Sequence, residues 1–225
     1  MSATAPPTEH PAAPALRARW RETVERARSG SPGTAPDPGP FADELLRRWS
    51  EPQRRYHTVD HLAAVLARVD ELAGHARDAD TVRFAAWFHD AVYRPDRSEN
   101  EERSAHLAER ALPELGLGAD RAAEVARLVR LTVGHDPAPG DHDGEVLCDA
   151  DLAVLAGTPQ EYAAYAAAVR EEYAFVPDEA FRAGRAEVLR HLLGLPRLFR
   201  TPLGQERWEP VARRNVATEL ELLEP

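Results

Sequence analysis

The chain contains no lysine. All 28 of its basic residues are arginine, set against 38 Asp and Glu for a formal charge of −10. Such an acidic chain repels polyanions, so general nucleic-acid binding is excluded. A local group of Arg side chains still suits one phosphate, which the planar guanidinium grips through paired hydrogen bonds. The single cysteine, Cys148, rules out an internal disulfide and fits a reducing compartment. No apolar stretch approaches the ~18–20 residues that span a bilayer. Residues 1–14 lack the basic start and apolar run of a secretory leader. These absences predict a cytoplasmic protein with no membrane partner. Runs of alternating β-branched residues and internal repeats are missing too, which leaves a helical domain as the expectation.

With 225 residues, 43% of them apolar, the chain is long enough for a substantial core. Residues 1–14, mostly Ala, Pro and Thr, are expected to form a disordered tail. Residues 15–225 are expected to form one all-α bundle. Apolar residues recur at helical spacing over 15–28, 41–49, 58–75, 81–93, 98–115, 119–133, 145–156, 158–175, 177–193 and 203–223. Proline, glycine and capping residues bound these segments. Two long polar loops, 29–40 and 134–144, separate them.

Three places put polar groups where the pattern predicts burial. His57 and His61 lie four apart at the head of the 58–75 segment, a spacing that places both on one helix face. His89-Asp90 closes the nearly all-apolar run from Val82 to Phe88. Asp149 and Asp151 sit in a third apolar segment. Buried charges of this kind are costly unless compensated, and a cation compensates imidazole and carboxylate together. His61, His89, Asp90 and Asp151 are therefore expected to share a divalent metal, with Asp149 competing with Asp151. Two imidazoles and two carboxylates suit Mn²⁺, Fe²⁺, Zn²⁺ or Co²⁺, and Mg²⁺ less well.

The order His … His-Asp … Asp on a helical chain resembles the HD superfamily of metal-dependent phosphohydrolases. Tyr56-His57-Thr58-Val59-Asp60-His61 is similar to the Tyr-His-x-x-x-His segment of cyclic-nucleotide phosphodiesterases. Ala150-Asp151-Leu152 is similar to the segment carrying their last ligand. The chain looks most like a bacterial branch of HD-domain proteins. The matching pieces are Tyr56 to His61, Phe88 to Asp90, Asn100 to Ala105 and Ala212 to Asn215, and the likeness covers roughly 16–223. It implies that His61, His89, Asp90 and Asp151 bind a metal, and a departure from the pattern at Tyr93 favours one ion over two. It implies that His57 protonates the leaving oxygen and places Asp90 beside it among the catalytic residues. The substrate implied is a small phosphate mono- or diester, with nucleotides in range.

Some residues depart from that pattern or stand outside it. Where many HD hydrolases have Lys, and the phosphodiesterases His, three residues after the His-Asp pair, this chain has Tyr93. Arg54, Arg55, Arg94 and Arg97 flank the motifs; Arg55 and Arg94 are the chosen phosphate contacts. Glu102 is a candidate for orienting a water, and His135 for touching substrate or a second metal. Di-iron oxygenases on the same scaffold offer an alternative, which requires His106 and His135 both to face inward. A metal- or nucleotide-binding regulatory protein without turnover is another. Asp141, His142 and Asp143 read as a solvated loop, and Asn215 as an amide tying the last helix down.

Overall fold

A computed structural model describes residues 9–28 and 36–224. Among them ten α-helices follow one another: α1 Ala13–Ala27, α2 Gly39–Trp49, α3 Val59–Leu72, α4 Ala79–Phe88, α5 Asn100–Glu114, α6 Ala119–Leu131, α7 His142–Leu152, α8 Pro159–Glu172, α9 Asp178–Gly194 and α10 Glu209–Leu223. A 3₁₀ turn, Ala153–Ala156, continues α7, and a π turn, Gly204–Trp208, leads into α10. No strand occurs among the described residues, and none of their helices is long and apolar enough to cross a membrane.

Helix α4 is apolar on nearly every side, with Val82, Phe84, Ala85, Ala86, Trp87 and Phe88 all buried. A helix of that kind belongs in the middle of a bundle. It packs against α1, α3, α5, α6 and α7. Trp20 of α1 meets the rings of Phe84 and Trp87 edge-on at 5.4 and 5.2 Å, an arrangement that adds attraction beyond the area buried. From α3 come Leu62, Val65, Leu66 and Val69, all buried. Asp78 starts α4, two or three residues before the cap expected at Asp80 or Thr81: its carboxylate accepts the N–H groups of Asp80 and Thr81, each at 3.1 Å. The π turn, α9 and the 3₁₀ turn all pack on α10, and α8 leans on the 3₁₀ turn. Thr158 and Glu161 close a capping box at the start of α8. Asn215 donates from Nδ2 to the carbonyls of Leu155 and Gly157, 2.9 Å each, and so ties α10 to the end of α7 as its sequence context suggested.

Two boundaries differ from expectation. Residues 1–8, and 29–35 of the first loop, lie outside the described residues. Residues 9–14 are not a tail, however, because α1 begins at Ala13, which is buried. Pro14 is tolerated there because the first helical turn leaves its N–H groups unpaired anyway. Nor is 141–143 a solvated loop. Asp141 caps α7 through the Gly144 N–H at 3.1 Å. Asp143 is buried and accepts the N–H groups of Arg77 and Asp78 at 2.7 and 3.0 Å. Backbone donors at a helix entry drew these acids inward.

Candidate metal centre

His61 lies in the first turn of α3, His89 is the C-terminal cap of α4, and Asp151 sits at the end of α7. Packing of these three helices brings their polar ends to one point. Nε2 of His61 is 3.3 Å from Nε2 of His89 and 3.1 Å from Asp151 Oδ1; His89 Nε2 is 3.6 Å from the same oxygen. Metal–nitrogen and metal–oxygen bonds of about 2.0–2.2 Å put neighbouring donors roughly 3.0–3.5 Å apart around one cation. The three side chains fit that requirement and could hold a metal ion. His89 Nδ1 is 2.8 Å from the Ala86 carbonyl oxygen, which can only accept. The proton on Nδ1 is therefore fixed, and Nε2 is the ring position that faces the centre, where a bound cation would take its lone pair. Asp90 flanks this triad. Its Oδ2 lies 3.2 Å from His89 Nε2 and 3.8 Å from His57 Nε2.

Asp149 points away. Its carboxylate accepts the Arg200 N–H at 2.7 Å, and the Thr201 N–H and hydroxyl at 2.8 and 2.7 Å. A Cβ at Gly204 would come within 2.6 Å of Asp149 Oδ2, so glycine is needed for the approach. Of Asp149 and Asp151, it is Asp151 that meets the histidines.

His57 reaches the site by a different route from the expected one. α3 starts at Val59 and Thr58 is extended, so His57 is not one helical turn before His61. Its ring is positioned by Glu172, at the end of α8. Glu172 Oε1 accepts the N–H groups of Arg55, Tyr56 and His57 at 2.9, 3.1 and 3.0 Å. Its Oε2 lies 2.6 Å from His57 Nδ1 and accepts the Tyr93 hydroxyl at 3.0 Å. Tyr93, three residues after Asp90, thus supports Glu172. Sequence reasoning missed Glu172. Its one signal, an acid on the inner side of a Val169–Tyr173 helix end, looks like any solvated carboxylate.

Burial opposes charge throughout this cluster, and neighbours decide the outcome. Burial keeps the His61 pKa below the ordinary value, against the pull of Asp151. For His89, burial is outweighed by Asp90 and Asp151, and the pKa rises to about 9. For Asp151, burial is outweighed by His89 and by hydrogen bonds from His135 and His61, and its pKa falls well below the carboxylate range. Asp90 is lowered likewise, its burial overcome by His89 and His57. Burial of His57 is overcome by Asp90 and Glu172, so its pKa is raised. Glu172, buried but bonded to His57 and to backbone N–H groups, falls to about 2. Both flanking acids stay ionised, the state that binds cations.

The remaining candidates divide. His135 joins the centre: its Nε2 is 2.8 Å from Asp151 Oδ2, and its backbone holds φ at 48°, the only positive value outside glycine among the described residues. A bulky residue held there is strained, by about 1–3 kcal/mol. Arg55 is exposed and lines the cavity beside His61, its guanidinium on the Pro52 and Arg54 carbonyls at 2.7 and 2.9 Å. Arg54 is neither a phosphate contact nor surface charge. It is buried over the Trp49 and Tyr93 rings and donates to the His57 carbonyl at 2.9 Å. Arg94 and Glu102 do not reach the centre: Arg94 is exposed and pairs with Asp96, while Glu102 is exposed and pairs with Arg130 at 2.7 Å. The first turn of α5 faces solvent there; its inward residues, Asn100 and Ser104, instead bind the backbone at Arg94, Arg97 and Val92. His106 is likewise outside, paired with Glu102 at 3.0 Å, which removes one of the six ligands a di-iron centre requires.

Next to His61 and Asp151 opens a cavity of about 510 Å³, walled by Tyr56, Val65, Arg68, Tyr165 and Trp208 among others. This is within the range of small-molecule sites. A second cavity, about 450 Å³, touches His57 from the α8–α9 side and is lined by Val169, Tyr173, Phe181 and Val188. Tyr56 and Tyr165 line both. The chain matches no protein-family model, no curated protein and no solved structure. What the centre can do follows from its own residues.

Proposed function

We propose that the protein is a metal-dependent phosphohydrolase that cleaves a phosphate mono- or diester of a small molecule, nucleotides included. The observation that carries this reading is the donor triangle of His61, His89 and Asp151, with a third histidine, His57, held beside it. His61, His89, Asp90 and Asp151 would hold one divalent ion, of Mn²⁺, Fe²⁺, Zn²⁺, Co²⁺ or Mg²⁺. When bound, such an ion neutralises charge on a phosphoryl oxygen and lowers the pKa of water. His57 supplies the other requirement, a proton for the leaving group. Its Nδ1–H is committed to Glu172, which leaves Nε2, on the Asp90 side, as the ring position able to give a proton. As water oxygen bonds to phosphorus and the ester P–O bond breaks, the leaving oxygen takes the Nε2 proton. The water's own proton then restores His57. Arg55, which lines the cavity beside His61, would meet the phosphate, and His135, bonded to Asp151, would touch substrate from the centre.

Protein stripped with chelator and reloaded with Mn²⁺ should hydrolyse p-nitrophenyl phosphate or bis(p-nitrophenyl) phosphate. His89→Ala and Asp90→Ala should bring the rate to background, and His57→Ala should lower the rate on an alkyl phosphate ester, whose leaving oxygen needs a proton, roughly 10²–10⁴-fold. Full activity in both His89→Ala and Asp90→Ala would overturn the reading.

A further inference from the structure

A second convergence of metal-type donors lies at the opposite end of α3. His75 follows that helix in a turn fixed by its N–H to the Leu72 carbonyl at 2.9 Å. Facing it are His142, the first residue of α7, and Glu145, three residues on and so on the same face. His75 Nε2 is 2.6 Å from Glu145 Oε2, and His142 Nδ1 is 3.1 Å from His75 Nε2 and 3.2 Å from Glu145 Oε2. The two rings stand at 90° with centroids 4.6 Å apart.

Three features separate this group from an ordinary surface ion pair. Two ring nitrogens and one oxygen, from two elements distant in sequence, point at one spot and are among the described groups able to hold a metal. Glu145 is largely shielded, its side chain 13% exposed, while His142 at 39% leaves one side open to water. The donor set, two imidazoles and one carboxylate, is that of zinc sites that keep a fourth position open. Nitrogen-rich sets favour Zn²⁺, Co²⁺, Ni²⁺ or Cu²⁺ over Mg²⁺ and Ca²⁺, which prefer oxygen. His75 lies fourteen residues beyond His61 in the sequence, on the order of 20 Å at helical rise, so the two groups cannot share an ion.

We propose that His75, His142 and Glu145 form a second divalent-cation site, of zinc type, that clamps the end of α3 to the start of α7. Its consequence is structural. The clamp fixes the entry of the helix whose other end carries Asp151, and closes the 134–144 connection against the body of the fold. The His75–Glu145 contact opens by a few tenths of an ångström to admit the ion. Binding requires both imidazoles to be neutral, and stabilises the folded state in proportion to ion excess over Kd.

The test is the number of Zn²⁺ ions retained per chain after chelator treatment, reloading and desalting, in four proteins: parent, His89→Ala, His142→Gln and the double variant. Two, one, one and none is the expected series. If the hydrolase centre does not bind metal, the parent retains one ion, lost in His142→Gln and kept in His89→Ala, so the two readings fail separately. Thermal melts provide a second measure: Zn²⁺ should raise the Tm of His89→Ala by several degrees and leave the double variant unmoved. A Zn²⁺ count unchanged by both His142→Gln and Glu145→Gln would overturn the proposal.

Discussion

Asp149 and Asp151 occupy the same helix two residues apart, and the fold uses them in opposite ways. Asp149 is fully buried and surrounded by neutral donors, the N–H groups of Arg200 and Thr201 and the Thr201 hydroxyl. Burial dominates there and pushes its pKa up to about 6. Asp151, on the other side of α7, faces His61, His89 and His135, and its pKa falls well below the usual range because those imidazoles outweigh burial. A carboxylate that accepts backbone N–H groups anchors a loop. One that meets convergent imidazoles is available to a cation. The difference lies in the partners, since residue type and helix are shared.

Substitution should separate the two roles with the largest effects in the molecule. Asp149→Ala strands three buried donors and is expected to destabilise the fold by about 3–5 kcal/mol, read by denaturant unfolding. Asp151→Asn keeps the side-chain shape. It should change stability far less while abolishing retained metal at the first centre and hydrolysis with it. A stable Asp149→Ala protein, or an active Asp151→Asn protein, would remove the distinction.

Glu172 tests whether one carboxylate can serve both purposes, since it anchors the 55–57 backbone and also holds His57. Glu172→Gln should lower kcat by roughly 10–100-fold with little change in KM, because the imidazole loses the partner that favours its protonated form. Stability should depend on pH in a defined direction. Glu172 has its folded pKa depressed to about 2 from an ordinary 4.5. Its contribution is therefore fully present above about 4.5 and is lost as pH falls toward 2. The stability gap between parent and Glu172→Gln should narrow over that window, measured by unfolding at successive pH values. A gap that stays constant would show that the backbone hydrogen bonds alone account for it.

How far these roles could be read in advance follows from range along the chain. The helices, the burial of the Val82–Phe88 run and the gathering of His61 and His89 with an acid of the 149–151 segment were legible, because apolar spacing fixes faces and polar intrusions on those faces stand out. Asn215 was legible for the same reason. The role of Glu172 was hidden, since it depends on contacts 115 to 117 residues away in sequence. The choice between Asp149 and Asp151 was open for a related reason: two residues on one helix differ in facing by more than a right angle, and only the partners show which face is which. His142 looked solvated because its partner, His75, lies 67 positions earlier. Local pattern predicts burial, and it is silent on which distant group arrives.

The smallest effects are expected where charged residues near the motifs proved to face outward. Glu102 and Arg94 were drawn toward the centre by sequence proximity to His89-Asp90. The connection after Tyr93 turns away instead, anchored by Asn100 on the Arg94 and Arg97 carbonyls at 2.9 and 3.1 Å. Their partners, Arg130 and Asp96, are exposed ion pairs of the kind worth about 0–1 kcal/mol. Glu102→Gln and Arg94→Ala should each leave kcat/KM within about twofold and stability within roughly 0.5 kcal/mol. They also serve as controls for Arg55→Ala, which lines the cavity and should raise KM. A tenfold loss of kcat/KM in Glu102→Gln would mean that α5 swings its first turn toward the bound substrate, and that the outward-facing acid belongs to the working site after all.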